Sequence, residues 1–472
     1  MQLTPPKSRR IGATLFLMTA NLLAATSAAA QSQNDSNGNS LANELPAITN
    51  AYDEPADELG TLSIDSAVLY YKENGGRVQA IEPMVSVTRT SQNGNVLSAK
   101  VTYDALTGAT PNGATPWSAT QTFVAPIKSD GDSEHHSSTG ASGTLVRNPL
   151  TGKYERIYTA GPNLLPVDSA FRDNRVAVDL GYSFGIADAT KLSLGANGSV
   201  EQDYNSFSGR FAISRDLNNK ATTLSLGANL EYDQSKPFHG IPSPLSAMSG
   251  IAAAKGSDNK TVLSLVAGVT HVLTPTLLLQ LNYSFGKSSG YQTDPYKLVS
   301  VLDATTGAPV RYLYESRPDA RTRHSVYGAV KWALGSFVTD ASARYYHDSW
   351  GIDSYTLELA EHVPLGSKAY LEPRVRYYHQ TAADFFRYYL PSSQSLPVYA
   401  SADSRLDSFK ALTFGATAGF QLTPKIEIYA NAERYQQSKA GSYGIIPAGL
   451  ASQKLFAGAD ALSGMVGVKF KY

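Results

Sequence analysis

The last nine residues, 464–472, alternate between two kinds of side chain. Val466, Val468 and Phe470 occupy every second position, while lysines stand at Lys469 and Lys471 between them. Side chains of an extended strand point alternately to opposite faces. The segment is therefore predicted to be a strand with one apolar and one polar face, suited to a wall between lipid and water. An edge strand of a soluble sandwich is the alternative that these residues leave open.

The same period of two recurs along most of the chain, in runs of nine or more residues. In one run, Leu224, Leu226 and Leu230 alternate with polar neighbours such as Asn229 and Glu231. A strand that crosses a bilayer at a tilt needs about 9–11 residues, more than a typical soluble strand. We predict about 16 strands, the even number expected of bacterial barrels. They cover 62–73, 77–90, 95–104, 171–185, 190–204, 206–216, 221–234, 260–272, 277–290, 321–334, 337–350, 352–363, 368–381, 406–422, 425–438 and 454–472.

The connections between these strands alternate between short and long. Every second one is tight, as at Ser91–Gly94, Ile186–Ala189 and Leu273–Thr276. Outer-membrane barrels have short periplasmic turns and long extracellular loops, whereas a soluble sandwich has no reason to sort its loops in this way. The sequence therefore predicts an all-β transmembrane antiparallel barrel over 61–472. The predicted extracellular loops, all polar, are 105–170, 235–259, 291–320, 382–405 and 439–453.

Tyrosine is abundant, with 28 copies, and several form adjacent pairs near strand ends. An amphipathic ring favours the boundary between membrane and water, so these residues are predicted to form aromatic girdles. Stacking on sugars inside a pore is the alternative. The pairs are Tyr70-Tyr71, Tyr345-Tyr346, Tyr377-Tyr378 and Tyr388-Tyr389.

The N-terminal 60 residues carry a different pattern. Residues 1–30 contain Lys7, Arg9 and Arg10, then an apolar run, then a small-residue segment before Gln31, the order of an export signal peptide. The apolar run is short for a transmembrane anchor. Residues 31–60 are rich in Asn, Ser, Asp and Glu and are predicted to be a mobile periplasmic tail rather than a small plug.

Composition excludes several classes of protein. The chain has 40 basic and 40 acidic residues, which argues against a nucleic-acid partner. It has no cysteine, so disulfides and thiolate metal sites are excluded. The mean hydropathy of −0.22, without any run of 18 apolar residues, excludes a bundle of membrane helices.

Charged residues on the predicted strands 337–381 are candidates for a functional site. At the middle of a bilayer, a charge facing lipid costs about 2–4 kcal/mol, so these side chains are expected to line the pore. They could form a selectivity constriction, or an ion-pair network that braces the wall; the sequence leaves both open. The pore-lining candidates are Asp340, Arg344, Glu358, Glu372, Arg374 and Arg376.

Candidates for metal binding are weaker. The first long loop contains a cluster of carboxylates and imidazoles, which could hold a divalent cation, although a solvated acidic loop is favoured. The cluster is Asp130, Asp132, Glu134, His135 and His136. Three segments share an Asx-x-x-Thr-Gly spacing and are predicted to be turns inside the loops rather than calcium ligands. They are 104–108, 148–152 and 303–307.

No enzyme signature is present, and we expect neither catalysis nor a cofactor. A Ser–His pair assembled only in three dimensions would escape a motif search, but histidines in a polar barrel are more often hydrogen-bonding partners. The histidines available on the predicted strands are His271, His324, His347, His362 and His379.

Three blocks near the start of the barrel resemble a known family. They are Ala67–Glu73, Gly76–Pro83 and Asp104–Ala114, and together they resemble the family called domain of unknown function 3570. The C-terminal strand also resembles the closing strand of outer-membrane proteins, which typically ends in Phe or Tyr. The resemblance implies an uncharacterised Gram-negative envelope protein and supplies no catalytic residues. It also hints at a periplasmic redox or cofactor-related pathway.

Together these patterns predict a barrel in the bacterial outer membrane, in contact with the lipid bilayer and with the outer-membrane assembly machinery. The first functional hypothesis is a pore or transport barrel for small solutes, indicated by the polar inner faces. The second is a non-conducting barrel that acts as a platform or export partner for a periplasmic pathway, indicated by the long first loop and the family resemblance.

Overall fold

The computed structural model describes residues 60–125, 144–147, 154–169, 171–238, 240–248, 255–443 and 446–472. The predicted signal peptide and nearly all of the predicted tail lie outside these residues. The described residues form 22 strands: β1 (Thr61–Glu73), β2 (Gln79–Thr90), β3 (Val96–Thr107), β4 (Gln121–Ala125), β5 (Thr144–Arg147), β6 (Tyr154–Ala160), β7 (Arg172–Ala187), β8 (Thr190–Val200), β9 (Tyr204–Leu217), β10 (Thr222–Ser235), β11 (Asp258–Thr274), β12 (Leu277–Gly290), β13 (Leu298–Leu302), β14 (Pro309–Tyr314), β15 (Ala320–Leu334), β16 (Phe337–Asp348), β17 (Asp353–Leu365), β18 (Ala369–Gln380), β19 (Tyr389–Pro391), β20 (Phe409–Thr423), β21 (Ile426–Lys439) and β22 (Asp460–Lys471).

Sixteen of these strands form a closed antiparallel barrel, in the order β1-β2-β3-β7-β8-β9-β10-β11-β12-β15-β16-β17-β18-β20-β21-β22. Closure is made by β1 and β22, which pair from Ser63 opposite Lys471 to Glu73 opposite Ala461. The backbones of Leu62 and Tyr472 exchange hydrogen bonds of 3.0 and 2.8 Å just outside this register. Because no strand edge is left unpaired, the wall has the architecture required to span lipid. The predicted fold class and all 16 predicted strands are confirmed.

The two faces of the wall differ in polarity. On β10, Leu224, Leu226 and Leu230 point outward and are 46–58% exposed, whereas the inward residues Asn229 and Asp233 are buried. Inward-facing residues of this kind recur around the ring. Among the described residues, no helix is long and apolar enough to cross a membrane. The outer face is therefore compatible with lipid and the inner face with water.

The two ends of the barrel differ in the length of their connections. At the end that holds both strand termini Thr61 and Lys471, the connections are two to five residues long; we call this the short-turn end. At the opposite end, the loop end, three connections are short and five are long. The long connections are 108–171, 236–257, 291–319, 381–408 and 440–459.

The long connections are folded together, and we call their described residues the cap. The cap contains six strands in two small sheets, ordered β14-β13-β19 and β4-β6-β5. All five residues of β13 are buried. The prediction of plain polar loops is therefore wrong for these segments, because they bury an apolar core of their own.

Four other cap segments converge on the connection that contains β13. The backbone N–H of Leu298 donates to Asn112 at 2.7 Å, and that of Met248 donates to Tyr312 at 2.9 Å. Strand β19 pairs with β13 in parallel, and Leu450 packs on Leu302. These segments leave the rim at well-separated positions, since β8 to β11 lie between the β3–β7 connection and β12. The cap consequently lies across the loop end.

Some inward tyrosines lie flat along the wall. A Cβ added at Gly467 would lie 2.3 Å from Cζ of Tyr429, and one at Gly419 would lie 2.1 Å from Cε1 of Tyr370. Only glycine leaves room for these rings. The hydroxyl of Tyr429 then donates to Asp65 at 2.8 Å, which ties β21 to β1 beside the closing strand.

Candidate functional site

The six pore-lining candidates all lie on strands β16, β17 and β18 with their side chains on the inward face. Their outward neighbours Tyr345, Leu357 and Tyr377 are 38–54% exposed, which fixes the orientation of each strand. Asp340 and Arg344 belong to β16, Glu358 to β17, and Glu372, Arg374 and Arg376 to β18. Their role in conduction stays a prediction.

Four of the six candidates take part in ion pairs within the wall. Arg374 holds Glu358 through two hydrogen bonds, of 2.9 and 3.0 Å, and donates a third of 3.0 Å to Glu433 on β21. Lys331 on β15 pairs with Asp340 at 3.0 Å. His362 lies 3.5 Å from Glu372. For these four residues, the geometry favours the bracing network over a constriction.

Arg344 and Arg376 differ from the other four. Neither takes part in an ion pair among the described residues, and the Nε atom of each is buried without a hydrogen-bond partner there. The guanidinium of Arg344 rests over the ring of Tyr327, 5.3 Å from its centroid. Within the described residues, the inner wall therefore contains two arginines that no carboxylate contacts directly, although the charge of Glu358 still acts on Arg344.

A second group of charges on the inner wall was not found from the sequence. Glu82 on β2 interacts with Asp104 on β3, and Arg175 on β7 donates to Asp104. The predicted turn at 104–108 is therefore wrong, because residues 104–107 belong to the barrel strand β3. The equivalent turn at Asp303 does form, since its carboxylate accepts from the backbone N–H of Thr305 and Thr306 at 3.1 and 2.8 Å.

Near the loop end, three carboxylates approach one another. One oxygen from each of Asp173, Glu201 and Asp203 lies within 4.8 Å of the others. The hydroxyl of Tyr296 in the cap donates to Asp203 at 2.5 Å, and burial raises the pKa of Asp203. Carboxylate oxygens suit a hard cation, but such clusters are common without one, and we assign no metal here. The predicted metal cluster at 130–136 lies outside the described residues.

The cap contains a buried network of opposite charges. Arg317 lies 2.6 Å from Glu315 and 2.7 Å from Asp403, and all three side chains are buried. Burial alone would raise the pKa of Asp403, but the charges of Arg405, Lys297 and Arg317 outweigh it and hold that pKa well below its usual range. Burial raises the pKa of Glu315 against the neighbouring charge of Arg317.

The network extends from one cap segment to another through two further cations. Lys297 is buried and donates to the backbone carbonyl of Pro111 at 2.8 Å, which joins the first cap segment to the third. Arg405 donates to Asp294 at 2.8 Å and to Asp403 at 2.5 Å. The contacts with Pro111 and Asp294 join residues 186 and 111 positions apart in the chain, so their role in the described structure is to fix the shape of the cap.

Four of the five histidines that could belong to a hidden catalytic pair have ordinary partners, among them His362, which lies near Glu372. His271 contacts Thr222 at 2.9 Å, and His324 contacts the hydroxyl of Tyr283 at 2.8 Å on the outward face. His347 contacts Asp353 at 3.0 Å. The expectation that the protein is not an enzyme stays a prediction.

Three of the four tyrosine pairs contribute one ring each to the outer face, whereas Tyr388-Tyr389 lies in the cap, where the girdle prediction is wrong for both residues. Tyr70 is 44% exposed, Tyr345 40% and Tyr377 38%, while Tyr346 and Tyr378 are buried on the inner face. Adjacent residues of a strand point to opposite sides, so the girdle prediction is wrong for the second member of these pairs. The inward tyrosines meet the cap: Tyr346 packs with Phe385, and Tyr378 packs with Phe456.

Comparison with solved structures returns large outer-membrane barrels at low similarity. A variant of the ferric enterobactin receptor PfeA of Pseudomonas aeruginosa has a TM-score of 0.40 and 9% identity, covering 81% of this chain and 54% of the receptor. The chain thus spans little more than half the length of that receptor. A bacterial polysaccharide outer membrane secretin has a TM-score of 0.40 and 9% identity, covering 88% of this chain and 99% of the secretin.

A third structure, the CymD monoaromatic hydrocarbon channel, has a TM-score of 0.36 and 7% identity, covering 88% of this chain and 89% of the channel. Similarity at this level carries no argument about a ligand. The curated proteins give no match to the sequence. A family model described as a protein of unknown function, DUF3570, matches residues 23–470.

Proposed function

The chain belongs to the DUF3570 family, and on that premise we propose that it is an outer-membrane barrel through whose lumen small solutes pass. Its partners would be the lipid bilayer around the wall, the outer-membrane assembly machinery and the solute itself, and the role requires no catalysis. The observation that carries the proposal is the contrast between an apolar outer face and a charged, polar inner face.

The inner face supports a wet lumen in particular. An ionised side chain without water or a partner is expensive in an apolar medium, so the unpaired charges on β16 and β18 require solvent beside them. A barrel of 16 strands is wide enough for an aqueous channel unless other segments fill it. In the proposed function the cap controls access to this channel at the loop end, which would face outward from the cell.

A second candidate function is a non-conducting platform for a periplasmic pathway. The packed core of the cap favours it, because Val299, Leu302 and Leu450 are fully buried and a buried core resists opening. The two functions predict different behaviour in a bilayer.

Single-channel recording on the refolded mature protein tests the proposal. A pair of cysteines, Ser316→Cys with Ala400→Cys, would join two cap segments whose backbones exchange two hydrogen bonds of 2.9 Å. Directly opposed strand residues have the Cα separation that a disulfide needs. Since the native chain has no cysteine, the added pair can be oxidised and reduced without side reactions.

We expect conductance from the wild type, a decrease in open probability when the pair is oxidised, and recovery on reduction. Each single cysteine variant is the matched control. A folded barrel that stays silent both intact and after the cap is loosened by Asp403→Asn rejects the pore and leaves the platform.

A further inference from the structure

Between β15 and β21, most carboxylates of the inner wall pair with basic side chains. Lys331 pairs with Asp340, His362 lies 3.5 Å from Glu372, and Arg374 pairs with both Glu358 and Glu433. Arg344 and Arg376 differ, because neither forms an ion pair within the described part of the chain.

The sheet register shows why Arg376 lacks a partner. It stands directly opposite Glu358 in the pairing of β17 with β18. Both oxygens of Glu358 accept instead from Arg374, the next inward residue along β18, at 2.9 and 3.0 Å. A bidentate pair of this kind is stronger than a single contact. Because both oxygens of Glu358 are bound to Arg374, Arg376 forms no ion pair with this carboxylate.

Arg344 lies close to Arg376 on the same inner surface. It stands opposite Thr356 of β17, one inward position from Glu358, so the two arginines are separated by one strand. Strands two places apart are about 10 Å from each other, a span that two long side chains can close. Their positive charges act on each other, and like charges at such a distance repel. Both residues are half-buried, so part of each side chain is exposed, while the Nε atom of each is buried.

The position of the pair relates it to the cap. Tyr346, two residues beyond Arg344, packs with Phe385 of the cap, and Tyr378, two residues beyond Arg376, packs with Phe456. The two arginines therefore form the first layer of the inner wall below these cap contacts. A solute that passed the cap on this side would meet them next.

We propose that Arg344 and Arg376 form a binding site for the oxyanion group, carboxylate or phosphate, of a small solute in the lumen. Two guanidinium groups offer planar donors that match such a group in two-point contacts. A bound oxyanion would relieve the repulsion between them. This site would give the class of solute that the proposed pore transports, and its role in transport rests on the proposed function.

The experiment measures binding apart from transport. Isothermal titration of the detergent-solubilised barrel with inorganic phosphate and with citrate, at constant ionic strength set by chloride, needs no conducting membrane. The variants are Arg344→Gln with Arg376→Gln, and the matched control is Lys331→Gln, which removes a paired cation from the same wall. Heat-modifiable mobility on a gel verifies that each variant is folded.

We expect saturable binding of at least one of the two oxyanions by the wild type. Because hydrogen bonds to charged groups are worth more than neutral ones, loss of both arginines should weaken affinity about tenfold or more. The control should stay within about twofold of the wild type, since its cation is already paired. Binding that is absent from the folded wild type, or equal in the wild type and the double variant, overturns the site.

A second measurement separates this result from the proposed function. In a salt gradient, the reversal potential should shift further toward cation preference in the double variant, which loses two positive charges, than in the control, which loses one and leaves Asp340 without its cation. A barrel that binds oxyanions but does not conduct supports the site and counts against the pore. Conductance with no oxyanion binding in titration counts against the site alone.

Discussion

The wall and the cap of this protein are both β-structure, yet they are stabilised in opposite ways. The wall places leucines such as Leu226 outward at 58% exposure and keeps its charges inside. The cap buries apolar residues such as Leu302 and encloses a charge network around Asp403 at its centre. The difference follows from what surrounds each region. Apolar side chains on the outer face of the wall are stable against lipid, whereas apolar side chains in water are more stable when buried.

The wall and the cap also differ in how their charged side chains are stabilised. Charges of the wall lie beside the lumen and can be hydrated, so an unpaired Arg344 is tolerable there. In the cap, Arg317 and Glu315 are buried and depend on each other. A change that is harmless in one region should therefore be damaging in the other, and three experiments use that contrast.

The largest effect is expected from Asp403→Asn. This change leaves the buried cation Arg317 with less counter-charge, and breaking a buried pair typically costs about 3–5 kcal/mol. We expect the cap segments 291–319 and 381–408 to become sensitive to limited proteolysis while heat-modifiable mobility of the barrel is retained. Lys255→Gln, which breaks a solvent-exposed pair with Asp258, is the control and should change neither property. Loss of the barrel together with the cap would contradict their independence.

A smaller effect, now on the wall, is expected from Leu226→Arg. The side chain faces lipid, where an added arginine costs about 2–4 kcal/mol near the midplane and less toward the interfaces. Denaturant unfolding of the barrel in lipid vesicles should show this decrease in the free energy of unfolding. Asn229→Ser, on the inward face of the same strand, should have little effect. An equal cost for both changes would mean that the two faces do not differ in environment.

The smallest effect concerns pH. The pKa of Asp403 is lower in the folded cap than in the unfolded chain, so its stabilising contribution is complete above the unfolded value of about 3.9 and is lost as pH falls below it. The loss is about 1.4 kcal/mol per pH unit until the folded pKa is reached.

Hydrogen exchange of 294–318, corrected for intrinsic rates, should therefore show the difference between wild type and Asp403→Asn shrinking between pH 5 and pH 3. Glu315 titrates in both proteins, so its contribution to this difference largely cancels. A difference that is constant across this range would show that the carboxylate is not held in its charged form.

The wall could be predicted from the sequence because each strand carries its own signal. Alternation along 222–235 or 277–290 is local, and closure of the sheet needs no further information than an even number of such strands. The ends were less certain: the last predicted strand began at 454, six residues before Asp460, where β22 begins.

The cap could not be predicted in the same way. Strand β13, with the sequence Leu-Val-Ser-Val-Leu, is buried on both faces and does not alternate, so only its short apolar run marks it. The contacts of Arg317 with Asp403, or of Gln453 with Asn163, join residues 86 and 290 positions apart. A single sequence contains no local pattern from which such pairs can be read.

The same limit applies to the inner wall. The six charged candidates were placed on the inward face by their parity, but their pairing depends on register between neighbouring strands. The register places Arg376 opposite Glu358, and only the side-chain hydrogen bonds show that Arg374 pairs with this carboxylate instead. The sequence therefore predicts that the two arginines face inward, but it does not predict that they lack ion-pair partners and form a site.

The convergence of distant segments on β13 has a consequence for biogenesis. One contact joins Leu302, in the middle of the chain, to Leu450 just before the last strand. This contact can form only after the chain has been made almost to its last strand, so a polypeptide that stopped short of residue 450 would leave Leu302 without it. Burial of Leu302 would then report how far the ring has been assembled.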